Sequence, residues 1–357
     1  MSRSLDKHVL ENLKSEDPAI VYRDIVQVLA ALPQQGGLLE IELLGKAHPL
    51  QPGINFLQDE NAIAIPKLRL TQAFFVARQV IQKHITSQLS SPSDETVAST
   101  AVVLLMDPEH LTAANIRKRA ILSRLHHGMQ PEPLLRHEKQ VLDSLLTARL
   151  HRHTKSPTLW SHRRWLMERF KLLHVPLDLR SDIKSVIMVA AERHPRNYYA
   201  WHHARWLVGH MSPAFDTRFL VDVTNDVKDW CFRHHKDISG WTYLDFIMSS
   251  IQDQERKVRE CSAVLAETLN MAESFRWTNE SLWVFLRTLV ARNTLSRGEF
   301  ASFALLNKRL SSDAKDQNTK AFLDAALQWA DQHRQNGVER SGVLTDTGTL
   351  HPISYRY

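Results

Sequence analysis

The residues of this chain best equipped for chemistry are nineteen histidines, two cysteines and a set of lysines and arginines placed near tryptophans. The histidines invite a metal reading that their spacing does not support. His126-His127, His202-His203 and His234-His235 are adjacent on helical patterns, where neighbours point about 100° apart and do not chelate together. His151 and His153 diverge in the same way. Cys231 and Cys261 are too few for a disulfide framework or a cysteine-rich zinc site, and both fall at apolar positions, so they read as core. No Ser–His–Asp arrangement and no G-x-S-x-G elbow occurs. Glycine, at 11 of 357 residues, is too scarce for a phosphate-cradling loop to be expected. The sequence therefore predicts no metal and no cofactor on this chain, and points to its cations.

Those cations sit in a repeat. Five segments align without gaps: LTAANIRKRAIL from Leu111, SPTLWSHRRWLM from Ser156, NYYAWHHARWLV from Asn197, DISGWTYLDFIM from Asp237 and NESLWVFLRTLV from Asn279. Their fifth position holds Asn115, Trp160, Trp201, Trp241 and Trp283, in steps of 45, 41, 40 and 42 residues. A near-constant step is the mark of a repeat architecture. The first position is Ser156, Asn197, Asp237 or Asn279, each able to accept a hydrogen bond from the orphan N–H groups of a first helical turn. Pro157 suits the first helical position. The first copy is degenerate, with Leu111 at the cap position and Thr112 as the nearest substitute. Four residues after the tryptophan column come Arg119, Arg164, Arg205, Asp245 and Arg287. Trp and Arg four apart share a helix face and can form a cation–π contact of roughly 0.5–1 kcal/mol when exposed. The next two places, Trp165-Leu166, Trp206-Leu207, Phe246-Ile247 and Thr288-Leu289, supply a packing stripe. The tryptophan column reads as core rather than as a ligand cage. Asp245 breaks the pattern without explanation from the sequence.

The elements that must position these residues are helices. Amphipathic segments precede the motifs: Ser93 to Met106, Leu135 to Leu150, Leu179 to Arg193, Asp216 to Phe232 and Arg256 to Leu269. Each repeat is thus an outer helix, a short loop and a motif helix, a pair that buries its apolar face only by stacking on its neighbours. The predicted fold is all-α, a right-handed α–α superhelix of antiparallel helix pairs. Residues 1–92 form an N-terminal helical region, with helices over 18–31 and 67–89. Between them, 33–66 is predicted irregular because Pro33, Gly36-Gly37, Pro49, Pro52-Gly53 and Pro66 punctuate it. Residues 93–294 hold the five repeats, 295–337 a C-terminal helix pair, and 338–357 a polar, disordered tail.

Composition narrows the function classes. Apolar residues at 43% and charged residues at 24% are an ordinary globular balance. The N-terminus lacks a signal-peptide core, and no stretch reaches the ~18 apolar residues of a membrane span, so a cytoplasmic location is expected. The net charge of +6 comes without a long Lys/Arg run, which speaks for a mixed surface rather than a nucleic-acid stripe.

NYYAWHHARWLV and SPTLWSHRRWLM resemble the N-Y-x-x-W-x-x-R-R repeat of protein farnesyl- and geranylgeranyltransferase α subunits, and the likeness covers roughly residues 93–294. The ~40-residue step separates it from tetratricopeptide repeats, which step by ~34. Within the family, the divergent branch of α-subunit repeat-containing proteins is nearest, on the first copy TVASTAVVLLMDPEHLTAANIRKRAIL and on the KSPxxW opening of the second. The resemblance implies a crescent of helix pairs around a β subunit, an α/α barrel that carries the zinc and most of the isoprenoid pocket. Together they would transfer a farnesyl or geranylgeranyl group from its diphosphate to a C-terminal cysteine of a protein substrate. It also implies site residues. The lysine before the second cap, here Lys155, contacts the diphosphate and stabilises its departure. The third cap and its neighbours, here Asn197, Tyr198 and Tyr199, approach the substrates. The family's common motif histidines account for His162 and for His202 or His203 as repeat packing.

Each of these residues has a plainer reading. Lys155 is equally a solvated lysine before a cap, Asn197 a cap alone, and Tyr198 a packing residue. Ser156-Pro157 replaces the family's Asn-Tyr and removes a phenol. Two functions follow: an α-type subunit of a heterodimeric prenyltransferase, geranylgeranyl-transferring rather than farnesyl-transferring, or a helical-repeat scaffold that kept the fold and binds another protein without catalysis.

Overall fold

The computed structural model describes residues 17–343, apart from 32, 34–36, 46–49, 52, 88–90, 212–215 and 293. The fold is an all-α helical repeat with one small sheet near its start. The chain divides into two compact units, residues 1–213 and 214–357.

The first unit opens with α1 (Pro18–Ala30), started by Asp17, whose carboxylate accepts from the Ala19 N–H at 2.9 Å. The segment predicted irregular instead holds three strands: β1 (Glu40–Leu44), β2 (Leu57–Asp59) and β3 (Ala62–Pro66). They order as β1-β3-β2, with β1 parallel and β2 antiparallel to β3. The physical signal is period-two alternation: Ile41, Ile63 and Ile65 turn to the core, with Ile41 paired to Ile63. The prolines and glycines lie before β1 or between β1 and β2 in sequence, and only Pro66 ends a strand. From β3 the chain enters α2 (Lys67–Thr86), which packs with α1.

Helix pairs follow. The first is α3 (Asp94–Met106) with motif helix α4 (Leu111–His126), the second α5 (Pro131–Leu146) with motif helix α6 (Pro157–Leu172). The third has an outer helix α7 in three pieces, Leu179–Asp182, a π-helical turn Ile183–Ile187 and Met188–Arg193, and motif helix α8 (Tyr198–His210). Successive motif helices touch, α4 on α6 and α6 on α8. The sheet is fastened to the second pair: the Leu39 N–H donates to Ser144 Oγ at 3.0 Å, and Gln140 Nε2 donates to the Pro33 and Gly37 carbonyls at 2.7 and 2.6 Å.

The second unit contains α9 (Thr217–Arg233) with motif helix α10 (Ile238–Ser249), α11 (Gln254–Ser274) with motif helix α12 (Glu280–Val290), and a final pair, α13 (Arg297–Asp313) and α14 (Gln317–Val343). The helix of α14 runs into the predicted tail, so residues 338–343 are helical rather than disordered; 344–357 lie outside the described residues. Cys231 and Cys261 are buried and unpaired to each other.

Ser156, Asn197, Asp237 and Asn279 all cap their motif helices as the sequence predicts. In the first copy the cap is His110, not Thr112: its Nδ1 accepts from the Ala113 N–H at 3.2 Å. The ring nitrogen occupies the place that a serine or asparagine oxygen takes elsewhere.

Candidate functional site

In the first unit, the loops that enter the motif helices hold the predicted site residues. In the second repeat, His153 turns inward and lies 4% exposed, its Nε2 3.1 and 3.0 Å from the Leu104 and Leu105 carbonyls. Burial pushes this imidazole down to about 4, against the upward pull of the two carbonyls. The Thr154 carbonyl accepts from Trp160 Nε1 at 2.9 Å and from Asn197 Nδ2 at 2.7 Å. Ser156 Oγ accepts from the Leu159 N–H at 3.1 Å and donates to the Pro108 carbonyl at 3.0 Å. Lys155 stands exposed between these two anchored residues and forms no ion pair among the described residues.

In the third repeat, Arg196 takes a left-handed φ of 59° and turns the chain into the cap. Asn197 is 1% exposed; its Oδ1 accepts from the Ala200 N–H at 3.2 Å, and its Nδ2 donates to the Thr154 and Ala190 carbonyls. Its side chain faces the fold and ties the start of α8 to the Lys155 loop. It positions its neighbours and does not itself reach the surface. Tyr198 and Tyr199, 60% and 38% exposed, do; Tyr198 stacks on His202 at 5.4 Å. The His151 and His194 rings bridge the two loops at 4.1 Å. His194, then slight burial, then Lys155 hold His151 below its ordinary value. The structure thus joins the Lys155 and Tyr198 loops through the Asn197–Thr154 bond, making an exposed, cation-bearing ridge over the N-terminal ends of α6 and α8. Such ends favour negative charge.

The packing residues take two directions. Trp160, Trp201, Trp241 and Trp283 are buried. Trp160, Trp241 and Trp283 each donate Nε1 to the carbonyl six residues earlier, at Thr154, His235 and Trp277, in every case at 2.9 Å. At these three places the column fastens the motif loop to its own helix, a polar use of tryptophan beyond packing. The cation–π expectation is corrected. Arg164 lies 4.8 Å over the ring of Trp206 in the next repeat, not over Trp160, because Trp160 points into the core while Arg164 lies on the outer face. Arg287 lies likewise over Trp329 at 4.8 Å. Trp165 is flanked by Lys118 and Arg169, each at 5.7 Å, and Arg205 Nη1 donates to the Trp201 carbonyl at 3.5 Å. Asp245 gains its explanation in an ion pair with Arg292 at 2.5 Å.

The residue that sequence reasoning passed over is Arg163. It is fully buried, and donates to Asp143 at 2.8 Å, Asp182 at 2.6 Å and His203 Nε2 at 2.7 Å. Lys139 joins both carboxylates at 2.5 and 2.6 Å. Burial works to raise the Asp182 carboxyl, but Arg163 and Lys139 hold it well below the carboxylate range. Arg117 and Glu138 form a second buried pair, doubly bonded at 2.8 and 2.7 Å. The available signal was Asp143 within the largely apolar run 141–146, since a buried carboxylate needs a buried cation; Asp182, among Arg180, Ser181 and Lys184, gave none.

Residues 143–170, which span the Lys155 loop and most of α6, match the protein prenyltransferase alpha subunit repeat. The chain carries that repeat. Residues 159–269, from α6 into α11, match the ECM9 middle domain. The chain is 30% identical over 178 residues to protein prenyltransferase alpha subunit repeat-containing protein 1 of Homo sapiens, an alignment covering 45% of this chain and 41% of that protein. It is 30% identical over 181 residues to repeat-containing protein 1-A of Xenopus laevis, covering 46% and 39%, and 29% identical over 175 residues to protein 1-B of the same species, covering 44% and 38%. The alignments thus span less than half of each relative. Among the described residues, no three His, Cys, Asp or Glu side chains are grouped to hold a metal, and no helix is long and apolar enough to cross a membrane.

Proposed function

We propose that this chain is an α-type subunit of a heterodimeric protein prenyltransferase, seating a zinc-bearing β-type subunit and lending it Lys155. The observation that supports this reading is the placement of Lys155: an exposed ammonium without an ion-pair partner among the described residues, between two residues locked by hydrogen bonds, just before a helix N-terminus. When an isoprenoid diphosphate gives up its carbon to a cysteine thiolate, negative charge builds on the departing oxygens. A cation already in place stabilises that charge without reorganisation. Asn197 and Ser156 fix the loops, and Tyr198 and Tyr199 offer exposed rings and hydroxyls on the loop joined to that of Lys155. The zinc, which activates the thiolate, belongs to the partner in this reading.

The test is to purify the chain with β-type subunits and follow transfer of labelled farnesyl and geranylgeranyl groups to cysteine-tailed proteins. Transfer is expected, and Lys155→Ala should slow it by about 100-fold with the heterodimer intact. An unchanged rate removes Lys155 from the chemistry.

One observation favours the second reading. Pro157 stands where the repeat usually carries a tyrosine, so the second loop offers no phenol to a substrate. As a non-catalytic scaffold, the chain would bind a partner and show no transfer with any β-type subunit.

A further inference from the structure

The three motif helices of the first unit, α4, α6 and α8, carry nine lysines and arginines and a single acid, Glu168. Two of the nine, Arg117 and Arg163, are consumed in the buried pairs. The outer helices of this unit are mixed instead, with seven acids against five lysines and arginines. The motif layer alone is one-sided in charge, and its open side presents a basic column of one arginine per repeat: Arg119, Arg164 and Arg205. Arg119 is exposed, Arg164 about half exposed and Arg205 partly so. Glu168 neutralises little of this, meeting Arg164 only at 3.7 Å with both side chains open to water. Arg164 is held in place by its stack on Trp206, so its guanidinium gives up less freedom on binding than a loose one.

We propose that this column is a docking strip for an acidic face of a protein partner. A polyanion of nucleotides fits it less well. Single-stranded nucleic acid needs open aromatic faces along the strip for its bases, but Trp206 is already covered by Arg164 and by the stacked ring of His210 at 5.3 Å, Trp165 lies between Lys118 and Arg169, and the exposed Tyr198 and Tyr199 lie together in the first turn of α8 alone. Spaced carboxylates on a folded partner, one set for each repeat, match a column of single guanidinia. That the partner is the β-type subunit rests on the prenyltransferase reading; the strip does not.

The full chain is titrated with three probes: a labelled glutamate-rich helical peptide, a single-stranded RNA of equal length, and a β-type prenyltransferase subunit. The variants are Arg119→Gln and the triple Arg119→Gln, Arg164→Gln, Arg205→Gln, with melting curves to check folding. The peptide should bind at low salt, lose about tenfold in affinity in the triple variant, and weaken as salt rises. Arg119→Gln, which disturbs no packing contact, should give a smaller loss in the same direction and decides the matter if the triple variant does not fold. The β-type subunit should associate more slowly with both variants. Peptide binding that is absent, or indifferent to the substitutions, overturns the strip even if the β-type subunit binds. RNA binding tighter than peptide binding overturns the partner class. Peptide binding as expected, with no binding of the β-type subunit, keeps the strip and removes the prenyltransferase reading.

Discussion

At the seventh and eighth motif positions, the first unit buries Arg117, His162, Arg163 and His203, whereas the second buries Tyr243, Leu244, Phe285 and Leu286. The motif helices as a whole differ in the same sense. Nine cations and one acid on the motif helices of the first unit stand against one cation, Arg287, and two acids, Asp245 and Glu280, on those of the second. The two units share one repeat, one cap chemistry and one tryptophan column, so none of these accounts for the difference. The repeat fixes the backbone and leaves the inner stripe open to two solutions: a hydrogen-bonded ionic network or hydrocarbon. A buried ionic network stabilises little beyond a well-packed apolar core, and its loss is costly because each partner depends on the others. The unit that bears Lys155 is the one built this way.

The largest effect should come from removing the centre of that network. Arg163→Ala strands two buried carboxylates beside Lys139 alone, and should cost about 3–5 kcal/mol in a urea titration. A loss under about 1 kcal/mol would mean that the network contributes little to the first unit.

Acid should separate the units next. Burial holds His153 and His162 down to about 4, with Glu138 pulling His162 up and Arg117 pushing it down. Each stays neutral when folded, while the unfolded chain takes up protons below about pH 6.5. Stability from these groups is therefore full above pH 6.5 and falls as pH drops toward 4, by on the order of 2 kcal/mol for each histidine between pH 7 and 5. Hydrogen exchange at the two pH values, corrected for intrinsic rates, should show the first unit opening more easily at pH 5 and the second changing little. Equal losses in both units would break the comparison.

The second unit should be the more sensitive to shape. Gly240 lies under the buried ring of Trp230, and a Cβ there would sit 2.4 Å from Cζ3 and 2.9 Å from Cε3. Gly240→Ala should destabilise by about 1–3 kcal/mol, despite the better helix propensity of alanine. A rise in melting temperature would show that Trp230 can move aside.

What could be read from the sequence was local. The helix pairs, the buried tryptophan column and the caps of the last four copies depend on residues within one or two turns of each other, and those held, whereas the first cap fell to His110 and Arg164 paired with Trp206 rather than with Trp160. The sheet escaped because β1 and β3 are five residues each and β2, at three exposed residues, shows no alternation, all among prolines and glycines that argue for loops. Asp245 resisted because its partner, Arg292, lies 47 residues on. Arg163 hid beside Arg164: the two look alike in sequence, but a 100° step on the helix sends one into the core and leaves the other outside. Asn197 was legible as a cap, but not its second bond to Thr154 in the preceding repeat, which turns its side chain into the fold.

The claim that the motif-helix side of the first unit seats a catalytic partner is tested most directly by hydroxyl-radical footprinting, alone and with a bound β-type subunit. Oxidation of Tyr198, Tyr199 and Leu122 should fall several-fold in the complex, while Phe75 on α2, 48% exposed, keeps its rate. A complex that forms with both tyrosines still fully reactive would contradict the account.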